Sequence, residues 1–532
     1  MDIAQLIEAL GRTEAYPGSP EDVEIRQTHI SVVALAGAHA YKVKKPVDLG
    51  FLDFTTLEKR RHFCEEEVRL NRRLAPGVYE GVVPITRCDG GLAVEGKGTP
   101  VEYAVKMERL PERATLGDYL RRGELTAELL EELARRVAAF HADAASGGSI
   151  DRFGGWEVVG ANARENLEQS RRHVGECLSA SVFERLGALL EERLTALRPL
   201  MESRVRAHVP RDTHGDLHLE HVYLFPDRSP PRDLVVIDCI EFNDRFRYAD
   251  PVADMAFLVM DLRFHGRRDL ADAFADAYFR AADDPRGREL LPFYVAYRAA
   301  VRAKVEGMAA EEEEVPEDER RAAVRRARAH WLLALSELES PSRRPCLLLV
   351  GGLPGTGKTT LAGQLVRSAG FESISSDRMR KTLAGIDPET PAAAAFGEGI
   401  YTPEWNDRTY DACLERAGEL LFEGRRVLVE ASFREAHRRR AFLRAGLEWG
   451  VRTLFVLCTA DPDTVRRRMG TRRGGPSDAD WAVYEAAAAA WEVDGTPDPR
   501  WSYLTVSTDG DPGEAADTVS RHLAALGLVS RH

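Results

Sequence analysis

Two stretches of the 532-residue chain concentrate side chains able to handle phosphate and protons. The first, "GLPGTGKT" at residues 352 to 359, satisfies G-x-x-x-x-G-K-[ST]. Gly352, Gly355 and Gly357 permit a tight turn through Leu353, Pro354 and Thr356, so that backbone N–H groups can converge on a β-phosphate. Lys358 would reach the β- and γ-phosphates of ATP, Thr359 would offer a hydroxyl to Mg²⁺, and Thr360 opens a helix whose N-terminus adds its positive dipole end. The second, "DTHGDLHLEHVYLF" at residues 212 to 225, places His214, His218 and His221 within eight positions, interleaved with Asp216 and Glu220. It admits a three-imidazole zinc site or a loop aspartate that takes a proton from an acceptor hydroxyl. The zinc site needs a helix to bring the imidazoles to one face. Gly215 and the following "VYLF" predict a loop entering a strand instead, and the apolar "DLVVIDCIEFN" adds a second strand ending in Asp238. Loop aspartate, strand, turn, strand and second aspartate can set a base and a magnesium ligand on one wall of a cleft, so no stoichiometric zinc is expected.

Further charged residues surround the first motif. "ISSDRMRKTL" begins a few residues beyond its helix; Asp377 there could accept a proton from a substrate hydroxyl, and Arg380, one helical turn on, could hold substrate or phosphate charge. Asp377 could equally serve as a helix N-cap. "TVRRRMGTRR" (464 to 473) gathers Arg466, Arg467, Arg468, Arg472 and Arg473, enough for a lid over a transferring phosphoryl group.

Elements must carry these residues. "CLLLVGG", "RVLVEAS" and "TLFVLCT" are continuous apolar runs separated by helix-length segments, the pattern of a parallel sheet buried on both faces. Toward the amino terminus, short strand-like pieces ("ISVVALAG", "AYKVKKP", "VEYAVKMERL") flank one helical stretch, and the pattern then turns helical. A small strand-rich lobe before a larger helical lobe is a kinase outline. An acidic run, a helical segment and then Pro341 and Pro345 mark a boundary, giving expected domains 1–340 and 341–532.

Composition narrows the function class. With 44% hydrophobic and 30% charged residues the chain reads as soluble and globular, and no apolar run reaches the roughly 20 residues of a membrane span. The amino terminus lacks a basic start followed by an apolar stretch, which makes cytoplasm the expected location. Seven singly placed cysteines argue against a disulfide framework and a thiolate zinc site. A net charge of −13 disfavours general nucleic-acid binding and fits small-molecule chemistry.

The motifs also carry resemblances. From about 343 to 532 the P-loop, the Asp377/Arg380 pair and the arginine lid resemble the P-loop small-molecule and polynucleotide kinases, a group with zeta toxins, chloramphenicol phosphotransferase and polynucleotide 5′-kinase. There the residue matching Asp377 activates the acceptor hydroxyl, and Glu430 in "VLVEASF" stands where an aspartate is commoner. From about 25 to 335, "HGDLHLEHV", "VVIDCIEFN" and "RYADPVADMAFL" resemble the aminoglycoside phosphotransferase and choline kinase family. That resemblance implies Asp216 as catalytic aspartate, Asp238 as magnesium ligand, Asp250 as the acid bracing the loop, and "KMERLP" (106 to 111) as the adenine hinge. It also implies Lys42 on the ATP phosphates and Glu67 as its helix partner, with Lys44 and Glu66 close by. His221 replaces an asparagine that binds metal in that family, so Mn²⁺ is expected to serve better than Mg²⁺ there. The pairing, together with "VKKPVDLGFLDFTTLEKRR" and "GIYTPEWNDRTY", is similar to two-domain bacterial proteins that join the two modules. The expected fold is an α+β protein-kinase-like bilobal domain followed by an α/β P-loop kinase domain. The expected function is a double, ATP-dependent phosphotransferase acting on a hydroxyl of a small molecule or oligonucleotide. In the alternative, the first domain senses a nucleotide or metabolite and regulates the second.

Overall fold

The computed structural model describes residues 3–530 except 89–90, 313, 389, 391–396, 472–479 and 494–497. The chain divides into two compact units. One comprises 1–159, 198–261 and 270–289; the other comprises 160–197, 262–269 and 290–532. The second unit therefore draws helices from before position 340 onto the P-loop segment. Arg185 donates to Gly424 O at 2.9 Å and pairs with Glu339 at 2.7 Å, and helix Glu317–Leu338 packs on helices Leu291–Glu311 and Ala436–Glu448. No described helix is long and apolar enough to cross a membrane.

The first unit opens with an antiparallel sheet of six strands: β1 (Val23–Gln27), β2 (Ser31–Ala36), β3 (His39–Lys44), β4 (Tyr79–Cys88), β5 (Gly91–Val94) and β6 (Pro100–Glu108), in the order β1-β2-β3-β6-β4-β5. Alternation on β2 and β3 buries Val32, Ala34, Tyr41 and Val43 against Leu6 and Leu10. Helix Leu57–Asn71, capped by Thr56, follows β3. Short strands then frame a loop: β7 (Arg211–Asp212), β8 (Val222–Leu224), β9 (Leu234–Val236) and β10 (Tyr248–Ala249), pairing β7 with β10 and β8 with β9.

The second unit contains a parallel sheet of β11 (Cys346–Gly351), β12 (Glu372–Ser375), β13 (Arg426–Glu430), β14 (Arg452–Thr459) and β15 (Ser502–Ser507), ordered β12-β13-β11-β14-β15. Every residue of β11 and β13 is buried, as unbroken apolar runs require. Leu348, Val350, Leu428, Leu454 and Val456 pack with Leu361 and Leu365 beneath helix Lys358–Ala369. The kinase-like bilobal outline and the parallel P-loop sheet both appear.

Candidate functional site

In the first unit, Lys42 and Lys44 lie two residues apart on β3 and so share one face. Both grip Glu67 of helix Leu57–Asn71: Lys42 Nζ to Oε1 at 2.9 Å and Lys44 Nζ to Oε2 at 2.8 Å. Lys42 also reaches Asp238 Oδ1 at 2.5 Å, and Lys44 pairs with Glu241. Burial would raise the Glu67 carboxyl, but the two lysines hold it below its ordinary value. Burial opposes Asp238 too, and Lys42 holds it low, whereas burial raises Glu241. Glu66 faces outward to Arg69 at 2.7 Å.

The histidine segment is a loop ending in a single turn, Leu219–His221, before β8. Gly215 adopts φ +88, and a Cβ there would meet Phe246 O at 2.9 Å. Asp254 accepts the N–H groups of His214 (3.1 Å) and Gly215 (2.8 Å), and it also contacts His141 Nε2 at 3.0 Å. Asp250, expected to brace this loop, instead pairs with Arg204 at 2.6 and 3.0 Å and caps Val252 N. The difference is one helical turn: Pro251 starts helix Pro251–Phe264, Asp250 precedes it, and Asp254 projects from its first turn. His214 accepts from Asp216 N at 3.3 Å and its Nε2–H donates to Ile237 O at 3.0 Å; burial pushes its pKa down to about 4, so it is the neutral ring that holds the loop.

His221 Nδ1–H donates to Asp216 O at 2.9 Å, which leaves the Nε2 lone pair 3.7 Å from Asp238 Oδ2. Burial and the neighbouring His218 lower the His221 pKa and favour the neutral ligand form. Asp216, His218 and His221 offer ligand atoms within 4.8 Å of one another, and the rings of His218 and His221 lie 3.7 Å apart. His214 is outside that group. Such nitrogen and carboxylate donors fit a divalent ion, Mn²⁺ better than Mg²⁺. Glu220 turns to Arg121 at 2.8 Å and Glu241 to Lys44, so neither acid joins His221 at the metal position.

In the second unit the P-loop joins β11 to helix Lys358–Ala369, with Gly352, Gly355 and Gly357 at φ +143, +79 and +80. A Cβ on Gly352 would lie 2.5 Å from Cys458 O, so glycine is required by space as well as by conformation. Lys358 Nζ donates to Leu353 O at 2.9 Å, and Thr359 Oγ1 donates to Glu430 at the end of β13. Burial raises the Glu430 carboxyl, and Lys358 and Asp377 both act on it electrostatically. The turn's backbone donors, lysine and hydroxyl fit the phosphates and metal of a nucleotide. Thr360 is exposed on the helix.

Asp377 is not an N-cap: Ser375 takes that place, and Asp377 stands in the first turn of helix Ser376–Leu383. Arg380 is 5% exposed, lies over the Tyr401 ring and donates Nη1 to Ile400 O at 2.9 Å. Its buried Nε has no hydrogen-bond partner among the described residues, a condition that a ligand oxygen would relieve. Arg468 donates to Thr508 O, and Thr508 Oγ1 donates to Thr356 O at 2.8 Å, linking the arginine helix to the P-loop. Arg466 stacks on Trp481, while Arg472 and Arg473 lie outside the described residues. Sequence reading missed Lys44's burial, Asp254, His141 and Thr508; only the i, i+4 pair Asp250/Asp254 left a visible signal.

Residues 54–291 match the phosphotransferase enzyme family and residues 347–493 match an AAA domain. An uncharacterized protein of Mycobacterium tuberculosis is 33% identical over 485 residues, covering 91% of this chain and 93% of its own, and so is one of Mycobacterium bovis. Among solved structures, a choline/ethanolamine kinase family protein from Mesorhizobium loti is 14% identical over 63% of this chain and 99% of its own, with a TM-score of 0.37. A sugar kinase from Janibacter is 18% identical over 35% of this chain and 99% of its own, with a TM-score of 0.27. With the lysine–glutamate–aspartate junction and the P-loop in place, the chain belongs to the family that joins a phosphotransferase module to an AAA-type P-loop module, and it is an ATP-dependent kinase.

Proposed function

We propose that the chain, as two modules at 1–340 and 341–532, carries two nucleotide sites and transfers the ATP γ-phosphate to a hydroxyl of a small molecule or oligonucleotide in the cytoplasm. Bound metal neutralises charge on the phosphates. In the first module Lys42 binds the α- and β-phosphates, Glu67 fixes Lys42, Asp238 and His221 hold the metal, and Asp216 takes the acceptor proton. In the second, residues 352–358 cradle the β-phosphate, Lys358 meets the β- and γ-phosphates, and Thr359 with Glu430 serves the metal. Asp377 takes the acceptor proton there, Arg380 Nε holds an acceptor oxygen, and Arg468 and Arg472 close on the phosphates.

The observation that supports this most directly is Lys42 Nζ lying 2.9 Å from Glu67 and 2.5 Å from Asp238, three elements meeting on one cation that phosphate can share. Labelled ATP offered with sugars, aminoglycosides, nucleosides and 5′-hydroxyl oligonucleotides tests it. Each active acceptor should be lost on Asp216→Asn or on Lys358→Ala, and labelling that survives both changes overturns the assignment. A second reading, in which the first module senses nucleotide without transferring phosphate, draws on His221 at the metal position. It predicts ATP binding that survives Asp216→Asn and no product traceable to that module.

A further inference from the structure

In the first unit, two backbone N–H groups at Asp238 are held by side chains, whereas those on either side are held by main-chain carbonyls. Val236 N donates to Leu74 O at 3.1 Å, Ile237 N to His221 O at 3.0 Å and Ile240 N to His214 O at 3.1 Å. Between them, Asp238 N donates to Tyr79 Oη at 3.1 Å and Cys239 N donates to Asn71 Oδ1 at 2.9 Å. The change of partner falls where the chain bends. Asp238 has φ +64, in the left-handed region that a residue with a Cβ occupies at a cost. Such a conformation persists only where its surroundings over-determine it.

Both acceptors are buried. Asn71, 1% exposed, is the last residue of helix Leu57–Asn71, and its amide is engaged at both ends: Oδ1 accepts from Cys239 N, while Nδ2 donates to Glu67 O at 2.9 Å, one helical turn back. Tyr79, 2% exposed, opens β4, and its ring packs in one cluster with Cys64, Val68 and Val235, which fixes where the hydroxyl can reach. The carboxylate that these two support is the open part of the arrangement. Its Oδ1 lies 2.5 Å from Lys42 Nζ and its Oδ2 lies 3.7 Å from His221 Nε2, and the Asp238 side chain is 41% exposed. Helix Leu57–Asn71 therefore touches the pair twice, through Glu67 on Lys42 at 2.9 Å and, four residues on, through Asn71 on the bend that carries Asp238.

We infer that Asn71 and Tyr79 are positioning residues of the first site, two buried acceptors that hold Asp238 in its left-handed conformation and so aim its carboxylate at the metal that accompanies ATP. The inference rests on the reading of Asp238 as a metal ligand given above. Apolar side chains of like shape would fill the same space but leave two N–H groups without acceptors. The bend would then relax toward ordinary extended backbone and turn the carboxylate away from Lys42 and His221. Supports of this kind set the orientation of a metal ligand without touching the ion. Because Glu67 and Asn71 share a helix, a displacement of that helix moves the support of the phosphate-binding lysine and that of the metal-binding aspartate together.

The test uses the full-length Lys358→Ala protein, so that the P-loop contributes little to nucleotide binding, and reads ATP affinity by calorimetry in EDTA and again with excess Mn²⁺. The parent should bind ATP more tightly with Mn²⁺, and Asp238→Ala should remove that gain. Tyr79→Phe and Asn71→Leu should each reduce the gain roughly tenfold or more, while metal-free affinity stays close to the parent's. A merely structural pair would lower stability in denaturant unfolding and leave the gain as it is in the parent. No gain in the parent, or a gain that Asp238→Ala keeps, would overturn the metal reading and this inference with it. A gain lost on Asp238→Ala but kept in full by both Tyr79→Phe and Asn71→Leu would overturn the positioning role alone. Should Asn71→Leu fail to fold, Tyr79→Phe decides, because it deletes one oxygen from a ring whose packing it leaves in place.

Discussion

His221 shows how one side chain sets the chemistry of a site. Its Nδ1 is tied to Asp216 O, so the lone pair toward Asp238 is a soft nitrogen where the related family presents an amide oxygen. We expect turnover by the first module to be higher with Mn²⁺ than with Mg²⁺, and His221→Asn to raise the Mg²⁺ rate and erase the difference; steady-state assays in each metal check it. If one tightly held zinc per chain is found by metal analysis and is lost on changing His218 or His221, the histidines form a zinc site instead. At the P-loop, Lys358→Ala should lower turnover by about 10² to 10³, because it removes one charge from where transition-state charge develops. Asp377→Asn should lower acceptor turnover by about 10² to 10⁴ with ATP affinity nearly unchanged, since the amide keeps its size but cannot take a proton. Equal losses of affinity and turnover would make Asp377 structural.

Among the elements, the loop carrying Asp216 depends on the first turn of helix Pro251–Phe264. Asp254 is fully buried and accepts two backbone N–H groups there, so Asp254→Asn, which keeps the shape and loses the charge, should cost about 3 kcal/mol of stability, measured by denaturant unfolding. The end of helix Glu317–Leu338 makes a pH prediction. Burial would raise Glu337, but Arg263 at 2.7 Å and Arg268 at 3.2 Å hold it at about 2 against an ordinary 4.5, so its contribution is fully present above about pH 4.5 and is lost as pH falls toward 2. The stability gap between the parent and Glu337→Gln should therefore shrink, by at most on the order of 3 kcal/mol, between pH 5 and pH 2, and a gap constant over that range would contradict the assignment. The elements themselves were largely legible. Unbroken apolar runs announced β11, β13 and β14.

For the whole molecule, the packing joins helices that sequence order separates. Trp331, Leu332 and Leu335 are at most 2% exposed, and a Cβ on Gly450 would meet Ala329 O at 2.5 Å, so the helix before the proline boundary is part of the second unit's packing. A fragment of residues 343–532 should unfold about 10 °C below one of residues 290–532, as expected from losing several buried apolar side chains; equal unfolding temperatures would show that the helix pair contributes nothing. Local pattern by itself determined the P-loop, the parallel sheet, the strand-rich lobe and the non-helical histidine loop, because each follows from glycine conformation or hydrophobic period over a few residues. Only the tertiary structure decided that Asp254 and not Asp250 braces the loop, that Lys44 is buried between Glu67 and Glu241, and that Arg263 and Arg268 meet at Glu337. Those contacts join residues tens to hundreds of positions apart, and a side chain's partner across such a distance is set by how whole elements pack.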